Sequence, residues 1–120
     1  MAVYDRWLAD PLLVFDASEV TLDDLHWLVR PLVVFADTPN DPRFIQQMER
    51  IAADADQLAE RDVIVIVDTN SAELSSLREK LRPRGFMMAL LAKDGTVALR
   101  KPAPWSVREL TRSKIGRAHV

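Results

Sequence analysis

The densest group of polar side chains beside an apolar run is Asp37-Thr38-Pro39-Asn40-Asp41, which follows Leu32-Val33-Val34-Phe35 and precedes a helix start at Pro42. In open α/β sheets, ligands collect outside the carboxyl ends of central strands, so this junction is the first place to seek chemistry. A helix N-terminus attracts anions, but Asp37 and Asp41 already bring negative charge there, and Asp41 has the type and position of an N-cap. Cap and turn duty is therefore expected ahead of a bound phosphate. A divalent cation would need a third patterned ligand beside Asp37 and Asp41, and the pattern offers none. His26 stands next to Trp27 without a partner base or second ligand, so neither catalysis nor metal binding is assigned to it. Cysteine is absent, which excludes disulfides, thiolate nucleophiles and sulfur-ligated zinc. No catalytic residue, metal or cofactor is expected.

Composition narrows the field further. At 120 residues with 48% hydrophobic content, the chain is expected to form one domain with a small but proper core. A formal net charge of −2 argues against a nucleic-acid partner, because phosphate recognition needs a concentrated positive field. The charge is unevenly spread: residues 1–60 carry 4 Lys/Arg against 12 Asp/Glu, and residues 61–120 carry 12 against 6. The plain expectation is that the two halves pair with each other, and the sharper one is a bipolar partner surface. No apolar run, Leu32–Ala36 and Val63–Val67 included, is long enough to cross a bilayer, and no secretory signal pattern opens the chain. A cytoplasmic protein is expected as written, with no membrane partner.

Periodicity supplies the elements that must position these residues. Met1–Asp10 spaces Tyr4, Trp7 and Leu8 like a helix but has no cap, so a loosely docked extension is expected; Leu12–Phe15 reads as an edge strand. Thr21 with Asp24 resembles a capping box opening a short helix through Leu22, Leu25, Trp27 and Leu28, stopped by Pro31. Leu32–Phe35 is apolar on both faces, as a central strand covered on two sides must be. With Asp41 as cap and Pro42 at the first position, the next helix lines Phe44, Met48, Ile51, Ala52, Ala55, Leu58 and Ala59 along one stripe, leaving Gln46, Glu49, Arg50, Asp54 and Asp56 outside it. Val63–Val67 is a second buried strand, in parallel through a right-handed crossover. A helix over Ala72–Leu81 is expected to bury Leu74, Leu77 and Leu81; Phe86–Ala92 and Thr96–Leu99 make a hairpin around Lys93-Asp94-Gly95; and Ser106 with Glu109 caps a terminal helix after Trp105, a plug over the core.

This order resembles the thioredoxin fold. Leu32–Arg43 is similar to that family's first central strand and active-site turn, which places Asn40 and Arg43 where its two redox cysteines stand. Arg84–Val97 is similar to the segment holding its cis-proline, and Met87 takes the proline's position. Thr38-Pro39-Asn40-Asp41 also mimics a peroxiredoxin spacing, with Asp in the cysteine position, so the likeness is to a scaffold and not to a mechanism. Closer in wording is the bacterial family known as domain of unknown function 4174, whose members are thioredoxin-like. The resemblance rests on Arg30–Asp37, Asp41–Phe44, Arg82–Phe86, Lys93–Gly95 and Arg100–Trp105, and spans about Val14 to Ser113. It implies no established activity. Many members look exported, so a periplasmic or exported protein is implied if the natural N-terminus is longer.

The expected architecture is thus an α/β thioredoxin-like three-layer sandwich, with a mixed sheet, a parallel strand-helix-strand unit and a C-terminal antiparallel hairpin. Residues 1–114 form a single domain with its core at about 12–113. Residues 115–120, IGRAHV, translate codons of a widely used sequencing adapter (ATC GGA AGA GCA CAC GTC) and are expected to be a read-through tail. The overlay implies that Arg43 and Arg84 converge, so the expected function is a protein- or peptide-binding module without redox activity. Its groove would be built from Thr38, Asn40, Asp41, Arg43, Arg84, Phe86 and Met87. The alternative is a cysteine-independent enzyme or small-anion binder using Asp37, Asp41, Arg43 and Arg84. Neither the ligand nor the oligomeric state follows from the sequence.

Overall fold

The computed structural model describes residues 2–113. The expected adapter tail, residues 115–120, lies outside them. Strands Val14–Asp16 (β1), Arg30–Phe35 (β2), Val63–Asp68 (β3), Met87–Leu91 (β4) and Val97–Lys101 (β5) form one sheet in the order β1-β3-β2-β4-β5. β3 is parallel to both β1 and β2, and β4 is antiparallel to β2 and β5, giving the mixed sheet with a terminal hairpin. Alternation along β2 divides the core. Val33 and Phe35 face a layer with Ile64, Ile66, Leu77 and Leu81, whereas Leu32 and Val34 face Ile51, Leu58, Val107 and Leu110. Helices Val3–Ala9 (α1), Leu22–Leu25 (α2) and Ser76–Leu81 (α5) supply the first layer; Pro42–Ala53 (α3), Ala55–Ala59 (α4) and Val107–Ser113 (α6) supply the second. No helix among the described residues is long and apolar enough to cross a membrane.

Several local expectations change. The N-terminal segment is not a loose extension: α1 forms without a side-chain cap because Trp7, 5% exposed and stacked on Tyr4, is driven into the core. No capping box forms at Thr21; it forms earlier, around the 3-10 turn Ala17–Glu19, where Asp16 accepts from Ser18 N–H and Glu19 from Asp16 N–H. Consequently α2 ends at Leu25, and Trp27 is 66% exposed at a φ of 68°. Pro31 does not stop a helix but lies inside β2. Arg30 N–H points to Asp62 on the β3 side, so the Pro31 nitrogen faces the other side, where β4 pairing begins only at Leu32. The long helix breaks at Asp54, leaving Ala52 exposed, while Gln47 is buried. The helix expected from Ala72 starts at Ser76 under a Ser75 cap, so Leu74 stays 67% exposed instead of entering the core.

The reciprocal cap at α6 forms as its sequence implies: Ser106 N–H donates to Glu109 Oε1 (3.0 Å) and Glu109 N–H donates to the Ser106 hydroxyl (3.1 Å). The Ser106 N–H, and then its hydroxyl, hold the Glu109 carboxyl below its ordinary range. A depressed folded-state value stabilises the fold above the ordinary carboxylate range and is lost as pH falls through the lowered value. Circular dichroism should show acid-side loss of terminal helicity that Glu109→Gln flattens. In urea denaturation, Trp7→Ala should cost about 3–5 kcal/mol, as loss of a core aromatic does, whereas exposed Leu8→Ala should stay within about 0.5 kcal/mol.

Candidate functional site

At the carboxyl end of β2 the chain turns through exposed Asp37, Thr38, Pro39 and Asn40 into α3. The Thr38 hydroxyl accepts from Asn40 N–H (3.3 Å), and the Thr38 carbonyl accepts from Asp41 N–H (3.2 Å), which closes the turn. Asp41 caps α3 by accepting from Arg43 N–H (2.9 Å), with Pro42 at the first helical position. The second Asp41 oxygen lies 3.5 Å from Arg43 Nη2. The Arg43 guanidinium stands over the Phe86 ring, 5.6 Å from its centroid, and a Cβ on Gly85 would sit 3.9 Å from Arg43 Nη2. Space is not what demands glycine here; its φ of 62° is.

Arg43 thus joins the turn to the segment before β4. Arg84, next to Gly85, is exposed and makes no ion pair among the described residues. Phe86 and Met87 behave differently: both are buried, Phe86 in the layer of α3 and α6, Met87 in the opposite layer, where its sulfur meets Arg100 Nη2 at 3.1 Å. Every peptide bond among the described residues is trans. The accessible polar side chains of the turn and this segment are therefore Asp37, Thr38, Asn40, Asp41, Arg43 and Arg84. His26 lies at the far end of the sheet, its Nε2 2.9 Å from the Asp94 carbonyl. Trp105 is half-buried against the core with the Lys101 ammonium 4.8 Å from its ring centroid.

Beneath the turn sits a polar cluster that the sequence did not mark. Asp68, at the end of β3, and Arg78, in α5, are both buried. Arg78 Nε donates to Asp68 Oδ1 (2.8 Å) and its Nη2 to the Ala36 carbonyl (2.8 Å), with the guanidinium 5.5 Å from the Phe35 ring centroid. The Ser75 hydroxyl donates to Asp68 Oδ2 (2.6 Å), while Ala36 N–H donates to the Asp68 carbonyl (3.0 Å). The available signal was weak: Arg78 falls four residues after Leu74, within the apolar stripe of its helix, and Asp68 directly follows an unbroken apolar strand. A second hidden polar residue, Gln47, clasps Trp105 by donating to its carbonyl (2.9 Å) and accepting from its N–H (3.0 Å).

The expectation that the acidic and basic halves pair is not met. Among the described residues only Arg61–Glu60, at 3.9 Å, is an ion pair across the divide, and these are chain neighbours. The guanidiniums bind carbonyls instead: Arg100 to Leu81, Arg50 to Pro104 and Arg30 to Arg61. Carbonyls at element ends lack partners of their own, and a planar fork of donors suits them.

Sheet order, layers and hairpin define a thioredoxin-like fold. The solution structure of desulfothioredoxin from Desulfovibrio vulgaris Hildenborough in its reduced form superposes with a TM-score of 0.53, at 18% identity over 84% of this chain and 93% of that one. The profile of the family Domain of unknown function (DUF4174) matches residues 21–113, and the chain belongs to that family. No curated protein matches it.

Arg78→Met should cost about 3–5 kcal/mol in urea denaturation, because it strands a buried carboxylate. Removing both charges, as Asp68→Leu with Arg78→Met, should recover much of that loss.

Proposed function

We propose that this domain binds an extended polypeptide across the Thr38–Arg43 turn and the Arg84–Gly85 segment, and that it does so without redox chemistry. The observation that carries the reading is that the exposed Arg43 side chain reaches Gly85, next to exposed Arg84, in a segment where Arg84 and Gly85 make no backbone–backbone hydrogen bond among the described residues. Unpaired N–H and C=O groups beside an extended segment add a peptide by strand-like pairing, and guanidiniums favour a carboxylate on that peptide. Because Phe86 and Met87 turn into the two core layers, recognition at this segment falls on the main chain. Disulfide exchange requires a thiolate, and the sequence has no cysteine. The small-anion reading is weaker, since Asp41 stands against Arg43 and would repel the ligand.

The test is an NMR titration with an acidic, extended decapeptide. Shifts should map to Thr38–Arg43 and Arg84–Phe86, and Arg43→Ala or Arg84→Ala should each weaken binding by about fivefold, the effect of roughly 1 kcal/mol. Unchanged affinity in the double variant, or shifts confined to the Lys93–Gly95 end, would sink the proposal. An insulin-reduction assay should read zero.

A further inference from the structure

We infer that the free edge of β1 and the groove beside it form a second docking surface, for an extended chain segment that carries apolar side chains between Lys or Arg residues. β1 lies at the outside of the sheet and, among the described residues, is paired on one side only, by β3. Alongside it is a cleft of about 280 Å³ whose lining, including Leu12, Val14, Met48, Ile51, Ala52 and Ala55, contains no polar or charged side chain. Leu12 is 51% exposed and Val14 46%. The groove has a local cause. The helix over this face breaks at Asp54, where φ is −134°, and alanines stand at 52 and 55 where larger residues would cover the strand. An edge strand with unpaired backbone beside exposed apolar side chains is a template for another chain.

Charge decides which chain. Glu49 lies three residues before Ala52 on α3, hence beside it on that helix, while Asp56 directly follows Ala55 and Glu60 follows the end of α4; all three are exposed. Exposed Asp10 and Asp16 bracket the strand from its two ends. Among the described residues the only cation paired with any of these five is Arg61, 3.9 Å from Glu60. Arg50 is turned to the Pro104 carbonyl, and Arg6 stands over the Phe15 ring and pairs with Glu19. An apolar groove with exposed carboxylates on its covering helices and at both ends of its strand, of which only Glu60 is paired among the described residues, selects a cationic, apolar partner and rejects an acidic one.

The experiment uses two capped heptapeptides, Lys-Val-Thr-Ile-Thr-Val-Lys and the same sequence with Glu at both ends, titrated into the labelled protein by NMR and into both variants. The lysine peptide should shift Leu12–Asp16, Ala52 and Ala55, bind at least tenfold more tightly than the glutamate peptide, and weaken with salt. Val14→Lys should abolish binding. Asp56→Lys with Glu60→Lys, both on exposed positions that leave the core intact, should weaken it by at least fivefold. Equal affinity of the two peptides for the β1 edge, lysine-peptide shifts confined elsewhere, or no binding of the lysine peptide at millimolar concentration would overturn the proposal. So would self-association through β1, seen in sedimentation and removed by Val14→Lys, because a second copy would then be the occupant.

Discussion

Both faces of β2 must be covered and both of its sides paired, and the other elements arrange themselves around that requirement. Val33 and Phe35 demand one apolar layer and Leu32 and Val34 another, so helices have to pack above and below the same strand. With β3 parallel on one side and β4 antiparallel on the other, the strand's carboxyl end becomes the place where three segments meet: the turn into α3, the end of β3 and the approach to β4. Backbone groups leaving β2 at Ala36 cannot be solvated, and Asp68 and Arg78 satisfy them from the neighbouring strand and from α5.

That buried pair explains the character of the surface above it. A charged pair withdrawn from water holds its geometry through several hydrogen bonds at once, so the Asp68 carboxylate is fully engaged within the β2–β3–α5 junction. What stays accessible is the outer turn with its own cap, the Arg43 guanidinium lying across Phe86, and the Arg84-Gly85 segment, which makes no backbone–backbone hydrogen bond among the described residues.

The unequal charge of the two halves survives folding for a related reason. Arg30, Arg50, Arg78 and Arg100 close backbone carbonyls, and among the described residues only Arg6, Arg43 and Arg61 pair with carboxylates of the acidic first half. Exposed Glu49, Asp56 and Glu60 therefore face solvent with only Arg61 paired to any of them among the described residues. Charge separation that composition left ambiguous becomes a property of one particular face.

By itself, the sequence determined the order of the elements, the core stripes and two helix starts. Period-two and period-3.6 patterns, Asp41-Pro42 and the Ser106–Glu109 pair are local signals, each read within a few residues of itself. Membership in the family was legible in the same way, from short stretches that kept their wording. Only the tertiary structure decided that Trp7 belongs to the core, that Leu74 does not, that Phe86 and Met87 point inward on opposite sides, and that Asp68, Arg78 and Gln47 are buried. In each case the deciding partner is supplied by other segments: Ala36 for Arg78, Trp105 for Gln47, the first helical layer for Trp7. A periodic pattern shows which face of an element is apolar, but whether a polar group can be hidden depends on whether folding brings it a partner, and no local window contains that information.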